Sequence, residues 1–213
     1  MNRLWLVSSL AALAFSSCSS KFSLPKSAQV FSPTESIPVF LFWPQEDTSR
    51  TSVKFKTLVT VYGKEIEGIL FLRRIEDTLY RATFLAKGTL KLFDMELHRD
   101  TFALLDHAKQ FSNPAAVGAI AHDMQVLAFQ LHQSLRPKKL WKKDSLLFAE
   151  KEEKKSRFYF VWKESTLTDL TETNFKDKKN LSVHLDAYHE NRPSHLFLRH
   201  HRFRMQIELT LLE

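Results

Sequence analysis

The sequence predicts a mainly β fold of the α+β class, an antiparallel sheet with one amphipathic helix resting on its apolar face. Three observations carry that prediction. Residues 53–105 read as short β-forming runs separated by Gly or acidic turn residues. From Asn113 to Leu135, apolar residues recur instead at three- and four-residue spacing. Alternation then returns. It is cleanest at the C-terminus, where Phe203, Met205, Ile207, Leu209 and Leu211 alternate with Arg202, Arg204, Gln206, Glu208 and Thr210.

Taken in order, the chain starts with a short positive region, Asn2-Arg3, and an apolar segment, Leu4 to Phe15, too short to span a bilayer. The run Phe15-Ser16-Ser17-Cys18 follows, and small residues directly before a Cys at this distance resemble the lipobox of a bacterial lipoprotein signal. Cys18 is the only Cys, so it has no internal disulfide partner. The resemblance implies that residues 1–17 are a signal peptide removed by cleavage, and that Cys18 then carries a thioether diacylglycerol and an acylated amine. Each buried CH₂ contributes about 0.8 kcal/mol, so more than one acyl chain makes a stable anchor. Ser19-Ser20 lack the Asp that resembles an inner-membrane retention signal in enterobacterial lipoproteins. The expected location is therefore the periplasmic side of the outer membrane. No cofactor is expected beyond the covalent lipid on Cys18.

Residues 18–50, with Pro25, Pro33, Pro38 and Pro44 and many Ser and Thr, suit a tether with little regular structure. Within it, Val39 to Trp43 is too apolar for solvent and is expected to dock as an extended or one-turn segment. Residues 51–213 then form a single domain, in keeping with 44% hydrophobic and 26% charged residues over 213 positions.

The domain opens with Val53 to Tyr62, a Gly63-Lys64 turn and Glu65 to Leu72. A tight turn there would set Val61 opposite Ile66, Val59 opposite Gly68 and Phe55 opposite Leu72. Val53, Phe55, Val59, Val61, Ile66, Leu70 and Leu72 would then share one face. Leu79 to Ala86 and Thr89 to His98 flank a Lys87-Gly88 turn, and Phe102 to Leu105 offers a fifth strand. Tyr80, Phe84, Phe93 and Met95 join the same face only if an odd-length turn or a bulge lies near Glu76.

Asn113 as N-cap and Pro114 at the first helical position start the helix. Val117, Ile120, Ala121, Met124, Leu127, Ala128, Leu131 and Leu135 form its apolar face, and Arg136-Pro137 ends it. His122 and Asp123 fall on or near the polar side; as sequence neighbours on a helix they do not face each other, so they are not read as an acid/base pair. Arg136, Lys138, Lys139, Lys142 and Lys143 follow. They either complement the helix C-terminus or contact anionic headgroups or an acidic partner.

Further strands are expected at Leu140 to Ala149, Arg157 to Lys163, Leu181 to Tyr188 and His195 to Leu212, with Ser165 to Lys179 a long solvated loop that could gate a mouth. Phe158 and Phe160 alternate with Tyr159 and Val161, a strand buried on both sides. His184, His189, His195, His200 and His201 show no tight ligand pattern, and no metal is expected.

A net charge of +7 and a pI near 9.5 would suit nucleic acid or an anionic membrane surface. The basic residues are spread over most strands, however, as in a solvated exterior, and no nucleic-acid partner is expected. Four Gly leave little backbone for a phosphate loop, and neither a nucleophile elbow nor a zincin motif is present. The protein is therefore not expected to be an enzyme. The 18 Phe imply a large aromatic interior or an apolar ligand site.

The order of these segments resembles the LolA/LolB superfamily, the periplasmic carrier and outer-membrane receptor of lipoprotein sorting. So does the texture of Gly68-Ile-Leu-Phe-Leu-Arg-Arg, Leu79-Tyr-Arg-Ala-Thr-Phe, Gly88-Thr-Leu-Lys-Leu-Phe-Asp94, Asn191-Arg-Pro-Ser-His-Leu-Phe-Leu and Phe203-Arg-Met-Gln-Ile-Glu-Leu. The resemblance implies a half-open antiparallel barrel, lidded by helix, whose apolar hollow holds acyl chains of a lipid or lipoprotein for transfer to or insertion in the outer membrane. Lipidation of the chain itself points to the LolB side, with a periplasmic carrier protein as a possible partner. Strand parity nominates Val59, Val61, Leu70, Leu72, Tyr80, Phe84, Phe93 and Met95 as lipid-binding, with Val117, Ile120, Met124 and Leu127 from the helix. The alternative is a structural or assembly lipoprotein that tethers a periplasmic complex, with a filled barrel and no ligand.

Overall fold

The architecture of the chain follows from a computed structural model, which describes residues 21–25, 29–31, 37–40, 42, 51–87, 90–189 and 192–212. Two short strands come first, β1 (Gln29–Phe31) and β2 (Ile37–Phe40). A meander follows: β3 (Ser52–Val61), β4 (Lys64–Glu76), β5 (Leu79–Ala86), β6 (Lys91–Leu97) and β7 (Phe102–His107). Helix α1 (Pro114–Gln125) leads through one π-helical turn, Val126–Gln130, into β8 (His132–Leu135). The rest is β9 (Lys139–Lys143), β10 (Leu146–Glu152), β11 (Arg157–Lys163), β12 (Thr166–Thr173), β13 (Lys179–His189), β14 (Arg192–His200) and β15 (Met205–Leu212).

Thirteen of these strands form one antiparallel sheet that does not close, in the order β1-β9-β10-β11-β12-β13-β14-β15-β3-β4-β5-β6-β7. The last strand, β15, pairs with β3, so the centre of the sheet joins the two ends of the domain. The mainly β, open-barrel class with one helix is what the sequence predicts.

The β3–β4 hairpin turns on Tyr62 and Gly63, both at positive φ (50° and 79°), as a two-residue primed turn requires. Val61 therefore faces Lys64, Val59 faces Ile66 and Phe55 faces Leu70, two residues away from the register expected for a Gly63-Lys64 turn. A slip of two preserves the faces, and Val53, Phe55, Val59, Leu70 and Leu72 are all buried. The bulge required near Glu76 is present. The β4–β5 register shifts between Arg74 and Glu76, which brings Tyr80 and Phe84 to the inner face.

Several boundaries differ from the sequence reading. The Asn113 side chain caps α1, accepting from the Ala115 and Ala116 amides at 3.0 and 3.4 Å, but the helix ends ten residues before Leu135. Leu131, which caps the π-turn, and Leu135, at the end of β8, are nonetheless buried in the main core. What ends the helix is pairing: β8 adds to β2 in a separate two-stranded sheet. The cations from Arg136 onward thus lie beyond a strand, where no helix terminus explains them; Lys138 pairs with Glu152.

The expected loop from Ser165 to Lys179 is instead strand β12 and a short turn. Its Thr and Asp residues hid an inner face of Leu167, Leu170 and Glu172, broken by a bulge opposite Val161 and Trp162. Leu140 to Ala149 divides into β9 and β10 at Asp144, which sits at φ 51°, and His195 to Leu212 divides into β14 and β15 around residues 201–204.

The Pro-rich stretch is less irregular than its composition suggests. Val39 and Phe42 are buried in the main core, with the Phe42 ring edge-on to Phe55 at 5.4 Å, so this segment docks as expected. β1 pairs with β9, and Phe22 stacks on Tyr159 at 4.2 Å on the outer face. Tyr159 is therefore buried from outside while Phe158 and Phe160 are buried from inside, the two-sided strand expected from the sequence.

Candidate functional site: the helix-covered concave face

One apolar cluster runs over the concave face of the sheet and under α1. Of the twelve candidate lipid-binding residues, Val59, Leu70, Leu72, Tyr80, Phe84, Phe93, Met95, Ile120, Met124 and Leu127 are buried members of it. Val61 is half-buried against its border, and Val117 is buried outside it. Cys18 lies outside the described residues.

The second half of the sheet contributes equally. Leu170, Leu181, Val183, Leu185, Leu196, Leu198, Ile207 and Leu209 belong to the same cluster. The site expected from the sequence leaves these out: Leu170 falls in the expected loop, and the strands that carry the others have no register to the meander until β15 pairs with β3. The π-helical turn adds Val126, Ala128 and Phe129, whose ring meets Tyr80 edge-on at 4.9 Å. Burial raises the pKa of the Tyr80 hydroxyl to about 12, so it stays neutral.

With α1 in place, its apolar face packs closely on the described part of the sheet. Between Val59, Leu70, Phe84 and Phe93 on the sheet and Ile120 and Met124 on the helix lies a cavity of about 10 Å³. That is at the threshold for a single water and far below the volume of an acyl chain. At this point of the concave face the helix side chains fill the gap to the sheet.

Two polar pairs pin α1 to the sheet, and they use the residues that the sequence set aside. His122 Nε2 meets Glu172 Oε2 at 2.7 Å, and His200 Nδ1 meets Asp123 Oδ1 at 3.1 Å. Asp123, expected near the polar side, is fully buried, because His200 at the end of β14 gives it a partner inside. Glu172 also accepts from the Ser156 hydroxyl and, at 3.5 Å, from Asn180.

Burial alone would raise Glu172 and lower His122. The hydrogen bond and attraction between them prevail, holding the Glu172 carboxyl below its ordinary pKa and the His122 imidazole above its own. Asp123 goes the other way: burial raises it, against the pull of His200.

A pH dependence follows. The raised His122 contributes stability that is complete below its ordinary pKa of 6.5 and is lost as pH rises through the folded value. The lowered Glu172 contributes above its ordinary 4.5 and is lost as pH falls through its folded value. The raised Asp123 also costs stability as pH rises, because burial disfavours its carboxylate; its loss begins at its ordinary 3.8 and continues to the raised folded value. The His122–Glu172 pair is expected to contribute most between pH 4.5 and 6.5, and its contribution to decline on the alkaline side as His122 loses its proton. Thermal melts of His122→Gln should show a weaker alkaline decline than the parent protein.

A cavity of about 450 Å³ opens beside these pairs, lined by residues that include His122, Lys155, Ser156, Glu172, Asn180 and Arg202. The other histidines are dispersed: His184 pairs with Asp169 and His195 with Asp186, both at 2.9 Å on the outer surface. Among the described residues, no three His, Cys, Asp or Glu side chains converge as a metal site would need.

No family model and no curated protein matches this chain. Solved structures do match in fold. A LolA superfamily protein from Nitrosomonas europaea aligns with a TM-score of 0.52 at 7% identity, over 81% of this chain and 87% of the other. A DUF1329 family protein from Desulfovibrio piger has a TM-score of 0.43 at 8% identity, covering 78% and 85% of the two chains. A putative outer membrane lipoprotein-sorting protein domain from Vibrio parahaemolyticus gives 0.41 at 6% identity, covering 78% and 86%. At such identities it is the fold alone that is shared, and with its open antiparallel sheet and single covering helix this chain has a LolA/LolB-like fold.

Proposed function

We propose that the protein is a binding protein rather than an enzyme, a lipoprotein anchored through acylated Cys18 on the periplasmic side of the outer membrane. In this reading it takes acyl chains of a lipid or lipoprotein between the concave face and α1 and passes them on. The observation that carries the proposal is the kind of cover the concave face has. A sheet-wide apolar surface is closed by one short helix, and that helix is fixed at one end by His122–Glu172 and Asp123–His200 rather than by apolar contact alone. Swinging α1 away would exchange its own apolar side chains for those of a ligand. Burial on either side of that exchange is worth about 25 cal/mol per Å², so the two states differ little in hydrophobic energy. The LolA-like fold supports the same reading.

The close packing of Ile120 and Met124 on the sheet favours a second reading, a structural lipoprotein that tethers a periplasmic complex with no ligand. Native mass spectrometry of the mature chain separates the two. Carrier function predicts co-purifying phospholipid or uptake of an added lipopeptide, lost in Met124→Glu while circular dichroism stays that of a folded sheet. An apo mass that takes up no lipopeptide would establish the tethering role.

A further inference from the structure

Three successive turns, 153–156, 174–178 and 201–204, lie side by side at one end of β10–β15. They carry Lys154, Lys155, Lys176, Lys178, Arg202 and Arg204 against only two acids, Glu153 and Asp177. Both acids are already paired, Glu153 with Lys151 at 2.7 Å and Asp177 with Arg157 at 3.1 Å. All six cations are exposed, and between them Phe175 stands 44% exposed on its turn. Of the six, Lys154 reaches the exposed Asp100 at 4.0 Å; an aromatic tip among exposed cations that outnumber their acids is the composition of a surface that meets anionic headgroups.

The N-terminal segment arrives at this same edge. Lys21 bridges to Lys178, and the Phe22 amide donates to the Asp177 carbonyl at 3.0 Å. Only two residues, Ser19 and Ser20, separate Lys21 from Cys18. At about 3.5 Å per residue the chain gives Cys18 a reach of roughly 10 Å from the edge, comparable to the Debye length at physiological salt.

We propose that this edge is the membrane-facing surface of the protein, docking on anionic phospholipid headgroups with Phe175 at the interface. The proposal rests on the acyl-anchor reading of Cys18 for its distance, while the charge and the aromatic tip stand by themselves. Each basic residue near an anionic surface contributes about a fivefold factor in affinity, so three charge reversals should shift docking by a hundredfold or more.

The chain's single thiol makes the test direct. With Cys18 acylated, Phe175→Cys carries the only free thiol and takes one NBD fluorophore; Lys163→Cys at the other end of β11 is the control. The mature protein is placed in vesicles of phosphatidylcholine with and without phosphatidylglycerol. Blue-shifted, brighter NBD at position 175 with phosphatidylglycerol, little change at 163, and loss of the signal in Lys154→Glu/Lys176→Glu/Arg202→Glu are expected. Equal signals at 175 and 163, or no dependence on phosphatidylglycerol, overturn the proposal. Mass spectrometry of the N-terminal peptide separately reports whether Cys18 is acylated, so failure of the anchor and failure of the surface are distinguishable.

Discussion

Replacing His200 with alanine is expected to cost about 3 kcal/mol of stability at pH 8 and clearly less at pH 5. Asp123 is entirely inside the protein, and among the described residues His200 is the one that hydrogen-bonds to it across the helix–sheet junction. Removing one member of a buried pair leaves a charge with no solvation, a loss of about 3–5 kcal/mol when the group must stay ionised. Asp123 need not stay ionised, because burial already raises its pKa. At pH 5 it can take up a proton, whereas at pH 8 that proton must come from a dilute pool. The slope of unfolding free energy against pH in urea titrations should therefore differ between His200→Ala and the parent. The double variant Asp123→Leu/His200→Leu should recover much of the loss, since apolar replacement of a buried pair is often neutral or better. Equal losses for the single variant at both pH values would mean that Asp123 is not the group left stranded.

Gly68→Ala is the second large effect, and it acts in the sheet ladder rather than the core. A methyl at Gly68 would lie 2.2 Å from the Leu85 carbonyl oxygen and 2.7 Å from the Phe84 ring. The ring can turn away, but the carbonyl belongs to the β4–β5 ladder, in which Gly68 stands opposite Ala86. Relieving the contact requires prising β5 from β4 beside the bulge between Phe84 and Leu85 in the β5–β6 pairing. Overpacking of this kind costs about 3 kcal/mol, near the upper end of what such insertions do. Hydrogen exchange should show the loss as faster opening of β4 and β5, with β11 to β13 little changed. Gly118, by contrast, has nothing within 4 Å of an added methyl, and Gly118→Ala should be neutral or slightly stabilising in the helix.

The sheet was legible in the sequence wherever alternation was uninterrupted. β3, β4, β5 and β15 announce themselves because their inner positions are apolar almost without exception. Even a misplaced turn centre left the faces right, since the error was two residues and strands repeat every two. β12 was illegible for the opposite reason. Its inner face includes Glu172, a residue that looks solvated until His122 comes across from α1 to neutralise it. No local pattern can report a partner fifty residues away. The helix end was hidden in the same manner, because Leu131 and Leu135 continue the helical spacing and the deciding strand, β2, lies in a Pro-rich stretch.

The candidate site was legible as a list of side chains but not as a volume. Parity and helical spacing selected ten residues of the main cluster, yet whether facing surfaces enclose space or fill it depends on how closely the helix approaches. Met124 and Ile120 read identically in either case.

The seam where β15 meets β3 also governs how this molecule can be made. Among the described strands, it is the one pairing that joins the meander β3–β7 to the half built from β9–β15, with Met205 opposite Val61. Each half is stitched by hairpins between sequence neighbours, which form early and without large loop closure, but the seam must close a loop of most of the domain. As the chain emerges from its N-terminus, β3 waits with an open edge and half a core until the final strand appears. Until then the protein is two unfinished sheets, and its last eight-residue strand is the zip that makes them one.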